Sequence, residues 1–250
     1  MILKFKSKTN FNIEILDVIR NNGICIVKNF FSLVDLKKLN SHFKKKFISS
    51  SDIRVSGKFL YKQKDYKRLD IGDSYINPRF SRFLLFCEWN IKNKKIFKLL
   101  NNAIKLRNKV CAIKKDKFCY NFKRKYNKDK NFKFCDMVRL IQYPVGGGFL
   151  MPHRDKSDSY PEEMINMLIP FSSRKKKDVS FNTFEKGGLY YIINKKKVDI
   201  EKYLDVGDLV FHDQNIIHGV NSIDEHKPLN LKTYNGRLTL NFSIGKFYLR

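Results

Sequence analysis

"RLIQYPVGGGFLMPHRD", residues 139–155, runs from an apolar stretch through three glycines to a histidine and an aspartate two positions apart. Side chains two apart on an extended chain project to the same face, so His153 and Asp155 present an imidazole and a carboxylate together. Alone the pair is weak, because a surface turn at a strand end can carry H-x-D by chance. The surrounding chain supplies the frame. After residue 134 come MVRLIQY (137–143), MINMLIPF (164–171), VSFNTF (179–184), GLYYII (188–193), DLVFHD (208–213), IIHGVNSI (216–223) and RLTLNFSIG (237–245). Short β-rich runs separated by Gly, Pro, Asn and Asp predict an antiparallel sandwich or barrel.

The first half has another texture. GICIVKNF (23–30) predicts a strand, and Ser32 can cap a helix whose Leu33, Leu36, Leu39 and Phe43 recur at helical spacing. GKFLYK (57–62) reads as a further strand. Pro78 is expected to open a second helical region that uses Phe83, Leu84, Phe86, Ile91, Ile96, Leu99 and Leu100. The lysine-rich residues 113–133 read as a loop or a solvated hairpin. No repeat or linker divides the chain. One domain over 1–250 is therefore expected, with a strand and helical support region (1–135) and a β core (136–250). The expected fold class is α+β with a mainly β core and the helices packed outside it.

Composition excludes several classes. Hydrophobic residues make up 42% of the chain and aromatic residues 14%, too much core-forming material for a disordered protein. No apolar run approaches the roughly 18 residues of a membrane span. The start, MILKFKSKTN, lacks a secretory h-region. Five cysteines without a C-x-x-C pair read as reduced thiols, so a cytoplasmic location is expected. The net charge of +27 rests mostly on lysines scattered in short clusters. With no zinc finger or RNA-binding signature beside them, they read as solvated surface, and nucleic acid is not the expected partner.

A partner for the H-x-D pair lies in DVGDLVFHDQNIIHGV (205–220), where His218 follows a Gly-Asp turn and a β run. Two imidazoles and one carboxylate compose the facial triad of non-haem Fe(II) oxygenases, which leaves coordination positions open. His212 and His226 compete for the third place. His218 is preferred because it begins a strand and is followed by Gly-Val, whereas His226 reads as a solvated turn. GRLTLNFS (236–243) puts Arg237, Thr239, Asn241 and Ser243 on one strand face. In a barrel that stripe can point inward, where Arg237 would grip a carboxylate with its planar fork. The run of three glycines is no phosphate loop, since no G-K-[ST] follows it.

Together RLIQYPVGGGFLMPHRD, KGGLYYI (186–192), VGDLVFHDQNIIHGV (206–220) and GRLTLNFS resemble the Fe(II)/2-oxoglutarate-dependent dioxygenases. GICIVKNFFSLVDLKKL (23–39) is similar to the opening strand and helix of the phytanoyl-CoA dioxygenase-like members. The resemblance implies a double-stranded β-helix (jelly roll) that holds iron through His153, Asp155 and His218. It implies that Arg237 pairs with the far carboxylate of 2-oxoglutarate beside Thr239, with Tyr143 near the cosubstrate and Arg139 a weaker candidate. Residues 224–236 are then an inserted loop before Arg237. The implied reaction consumes O₂ and 2-oxoglutarate and hydroxylates a small molecule; Asp155, a carboxylate, favours hydroxylation over halogenation. The basic residues of 51–77, 113–133 and 172–178 would suit an anionic metabolite. A jelly-roll binding protein without activity and an oxygenase acting on nucleic acid or protein are the rival readings.

Overall fold

A computed structural model describes residues 2–6, 12–21, 23–52, 66–74, 77–86, 91–111, 119–120, 132–155, 165–174 and 181–248. The chain opens with β1 (Ile2–Lys6), α1 (Asn12–Arg20), β2 (Ile24–Lys28) and α2 (Leu33–Ser49). A hairpin of β3 (Tyr66–Ser74) and β4 (Asn77–Phe86) leads to α3 (Lys94–Val110). β5 (Cys119–Tyr120) and β6 (Phe132–Tyr143) follow, then β7 (Gly148–His153), β8 (Ile165–Pro170), β9 (Ser172–Ser173) and β10 (Asn182–Thr183). The last part holds β11 (Gly188–Ile193), β12 (Lys196–Asp199), a 3-10 turn (Glu201–Tyr203), β13 (Leu209–Asp213), β14 (Ile217–Ile223) and β15 (Arg237–Tyr248).

One sheet runs in the order β1-β2-β13-β8-β15-β6-β4-β7-β14-β11-β12. Except for the parallel β1–β2 pair, every ladder along this path is antiparallel. β4 is the corner strand. Its Phe83 pairs with Ile141 of β6, and its Phe80 pairs with Phe149 of β7. The sheet thereby curls so that β13-β8-β15-β6 forms one wall and β7-β14-β11 the other. Leu168, Thr239 and Ile141 from the first wall line a cavity together with Leu150, Val220 and Leu189 from the second. This is the antiparallel barrel expected from the β runs, in the jelly-roll form that the resemblance implies.

The outer face of the first wall carries the helices. Leu36, Leu39, Phe43 and Phe47 of α2 and Leu100, Ala103 and Ile104 of α3 share one buried cluster with Val138, Leu140, Leu240 and Phe242. Each large side chain so buried contributes about 1.5–3 kcal/mol. Ser32 caps α2 as its sequence implies: its Oγ accepts from Asp35 N at 3.1 Å. No helix is long and apolar enough to cross a membrane among the described residues.

The second helix departs from expectation. Residues 77–86 form β4, and α3 starts only after Asn93, whose side chain accepts from Lys95 N and Ile96 N. All of Ser81–Phe86 is buried. A strand covered on both faces reads as a continuous apolar run, which periodicity cannot separate from a buried helix. The strand expected at 57–62 and most of residues 113–133 lie outside the described residues.

Candidate metal centre

β7 ends on His153 and β14 begins one residue before His218, and the antiparallel register sets these two histidines directly opposite each other. Their ring centroids are 4.3 Å apart. Asp155, just past the strand end, closes the group. His153 Nε2 lies 3.3 Å from its Oδ1, and His218 Nε2 lies 3.3 Å from its Oδ2. The three candidate ligand atoms fall within 4.8 Å of one another.

Both rings are oriented by backbone. His153 Nδ1 is 3.1 Å from Met151 O, and His218 Nδ1 is 3.1 Å from Ile216 O. A carbonyl only accepts, so each Nδ1 carries the hydrogen and each Nε2 turns its lone pair to the centre. Asn166 of β8 donates to Asp155 Oδ2 at 2.8 Å, which fixes the carboxylate from the opposite wall. Burial alone would raise the Asp155 carboxyl, but His218 and His153 outweigh it and hold it well below the ordinary carboxylate range. Burial would likewise lower His218, and Asp155 reverses that, so its pKa is raised. Once Nε2 of each ring gives up any proton that Asp155 holds there, two imidazole lone pairs and the carboxylate fit a divalent cation of the Fe(II) type.

The competing histidines stand apart. His212, on β13, is buried with its ring 4.8 Å from that of His218 and 5.1 Å from that of Tyr191. Its Nδ1 lies 3.2 Å from Asp213 O, and burial lowers its pKa to about 3, so it remains neutral beside the centre. His226 is half exposed and near Glu185. His218 is the histidine that joins the H-x-D pair.

Arg237, Thr239 and Tyr143 line the same cavity, which has a volume of about 320 Å³. Arg237 opens β15 opposite Tyr143, with its Cζ 5.7 Å from the phenol ring centroid. Gly236, at φ +100°, delivers it: a Cβ there would meet Tyr143 O at 2.2 Å. Thr239 is buried and donates to Ile169 O at 3.1 Å. Burial raises the Tyr143 hydroxyl, against the opposing influence of Arg237, Arg79 and Arg139.

One residue of the site was not foreseen. Glu201, in the 3-10 turn, accepts from Arg237 Nε at 2.8 Å, and both side chains are only 2% exposed. The same carboxylate oxygen accepts from Leu189 N at 2.8 Å. Arg237 Nη2 is buried without a hydrogen-bond partner among the described residues. Nothing in "DIEKYLD" marks that glutamate, because its partner is 36 positions away.

The three glycines form a tight turn between β6 and β7. Gly146 and Gly147 take φ of +88° and +115°, and their N–H groups donate to Asp224 O and Ile223 O. The loop 224–236 is pinned as well: Gln142 Nε2 donates to Thr233 O and Asn235 O, at 2.9 and 2.7 Å.

No family model and no curated protein sequence matches the chain. Solved structures share its fold. A prolyl-4-hydroxylase of Pseudomonas putida aligns with a TM-score of 0.58 and 12% identity, over 95% of this chain and 98% of that one. The non-haem α-ketoglutarate-dependent carbocyclase SnoK of nogalamycin biosynthesis aligns with 0.54 and 9%, over 96% and 87%. The α-ketoglutarate-dependent epimerase SnoN of the same biosynthesis gives 0.53 and 10%, over 94% and 84%. At these identities the likeness is one of fold: the chain has the β architecture of the Fe(II)/2-oxoglutarate oxygenases.

Proposed function

We propose that this protein is an Fe(II)- and 2-oxoglutarate-dependent dioxygenase that hydroxylates a small molecule. The observation that carries the reading is the convergence of His153 Nε2, His218 Nε2 and the Asp155 carboxylate, within 4.8 Å, on a cavity that also holds Arg237. When bound, iron(II) supplies the redox chemistry by which O₂ and 2-oxoglutarate yield succinate, CO₂ and a hydroxylated product.

The chain's own groups do the positioning. Backbone acceptors at Met151 and Ile216 hold the two imidazoles, and Asn166 holds Asp155. Arg237, kept in place by Glu201, turns an unpartnered Nη2 toward a ligand carboxylate. Tyr143 flanks it as a further donor to that carboxylate, and Thr239 can join it by turning its hydroxyl away from Ile169 O. Ile141, Leu150, Leu168 and Val220 give the cavity apolar sides that limit water around the reacting groups.

The reading is tested by turnover. Purified protein with Fe(II), 2-oxoglutarate and O₂ should release succinate above a metal-free control, and more with a true substrate from a metabolite extract. Asp155→Ala should release none. Equal succinate from Asp155→Ala and the unmodified chain would remove the triad from the chemistry.

A further inference from the structure

We propose that the substrate of this site carries an oxyanion, which docks on the cross-strand pair of Arg139 and Asn241 between the Arg237 clamp and the metal centre. The inference rests on the dioxygenase reading and names the substrate class for it.

Arg139 on β6 and Asn241 on β15 are register partners, and both line the cavity. Arg139 Nη2 donates to Asn241 Oδ1 at 3.0 Å. That bond decides what the pair can offer a ligand. Asn241 has engaged its only acceptor atom, so its amide N–H groups are what remain. Arg139 Nε is buried without a hydrogen-bond partner, and a guanidinium has no acceptor of its own. The pair therefore presents donors and a positive charge. A neutral hydroxyl could accept one of these bonds, but an oxyanion makes bonds about twice as strong and can take two from the fork.

That charge has no counter-charge in place. Asn241 is neutral, and no carboxylate pairs with Arg139 among the described residues. Asp155 is the one carboxylate among the residues lining the cavity, and His153, His218 and Asn166 hold it. The other cavity arginines are placed differently. Arg237 has Glu201. Arg79 reaches Asp70 at 3.6 Å, in a trio with Arg68. Arg154 is exposed to solvent.

Register locates the pair. Along the β15–β6 ladder Arg237 faces Tyr143, Thr239 faces Ile141 and Asn241 faces Arg139, so one pair separates this seat from the clamp. Four residues of strand set their backbones about 13 Å apart. On its other edge β15 meets β8, where Thr239 faces Pro170 and Asn241 faces Leu168. Leu168 is two residues from Asn166, whose amide holds Asp155, and Pro170 is four. The order along this wall is clamp, seat, then Asn166 at the metal centre. Leu168, Ile141 and Phe83, which faces Ile141 from β4, surround the seat with apolar surface. A molecule held by its oxyanion can lay an apolar body against them, in the cavity that the triad also lines.

A set of probes tests this. Phenyl phosphate, benzoate and neutral benzyl alcohol are titrated calorimetrically into protein preloaded with Mn(II) and 2-oxoglutarate, which cannot turn over. At least one oxyanion probe should bind ten times or more tighter than benzyl alcohol, and the preferred one identifies phosphate or carboxylate. Arg139→Gln should weaken it tenfold or more, while Mn(II) and 2-oxoglutarate affinities change less than about twofold. Arg139→Lys should restore part of the loss. Asn241→Asp supplies the missing counter-charge and should abolish the preference for oxyanions. Equal binding of benzyl alcohol, no binding of either oxyanion, an oxyanion preference that survives both Arg139→Gln and Asn241→Asp, or a parallel loss of 2-oxoglutarate affinity would each overturn the proposal. If the unmodified protein takes up no Mn(II) or 2-oxoglutarate, the dioxygenase reading fails instead. The same probes and variants on the metal-free protein then decide the anion seat separately.

Discussion

Arg237 and Glu201 meet at 2.8 Å, each 2% exposed, so the guanidinium at the start of β15 enters the cavity with its counter-charge already supplied. A buried ion pair is weak evidence for stability, but removing one partner leaves the other charge uncompensated. Glu201→Gln keeps the shape and the acceptor for Leu189 N while removing the charge. The free protein should lose about 3–5 kcal/mol. A ligand carboxylate replaces what was lost, so 2-oxoglutarate should raise the melting temperature of the variant more than that of the unmodified chain. Equal shifts would mean that the ligand does not reach Arg237.

The same guanidinium should decide the affinity for 2-oxoglutarate. Arg237→Ala removes a charge-assisted contact worth about 1.5–3 kcal/mol, so 2-oxoglutarate affinity should fall about ten- to a hundredfold. Arg139→Ala should leave it nearly unchanged. Equilibrium binding of 2-oxoglutarate to the Mn(II) form measures both, and a loss confined to Arg139→Ala would exchange their roles.

Asn166 touches no proposed ligand atom except through Asp155, to which it donates at 2.8 Å. Partners of this kind orient a ligand and tune its basicity, and their loss typically costs 10- to 100-fold in metal affinity. Asn166→Ala should show that loss in an Mn(II) titration, with a melting temperature for the metal-free protein close to normal. Unaltered affinity would make Asn166 a bystander.

Acid stability should report Asp224. Its carboxylate accepts from Glu185 N and Lys186 N at 2.8 and 2.7 Å and from Lys227 Nζ at 3.0 Å. Burial would raise its pKa, but these donors outweigh burial and lower it from 3.8. A carboxyl depressed in the folded state binds its proton more readily when unfolded. Its stabilisation is present above the unfolded value and lost as pH falls through the folded one. The melting-temperature gap between the unmodified chain and Asp224→Asn should stay constant from pH 5 to 7 and narrow below about pH 4. A gap independent of pH down to 3 would contradict this.

The metal centre was legible because its evidence is local. H-x-D at a strand end and a histidine opening a later strand need only β pairing to meet, and the β7–β14 register supplies it. The polar stripe of Arg237, Thr239 and Asn241 was legible from alternation, and all three line the cavity. β4 was misread because both its faces are covered. β12, with the sequence KKVD, has no apolar alternation to announce it and forms by pairing with β11. Glu201 and the trio of Arg68, Asp70 and Arg79 depend on contacts between elements, which no periodicity encodes. Charge count alone made the lysines conspicuous, yet the cations inside the cavity are arginines.

The most direct test of the central claim is an anaerobic titration of Fe(II) and 2-oxoglutarate into the metal-free protein, followed by visible absorption. The predicted result is a charge-transfer band that saturates at one iron and one 2-oxoglutarate per chain and is abolished in His153→Ala, Asp155→Ala and His218→Ala, each folded by circular dichroism. A band of full intensity in His218→Ala, or no band in the unmodified protein, would contradict the assignment of His153, Asp155 and His218 as the iron ligands.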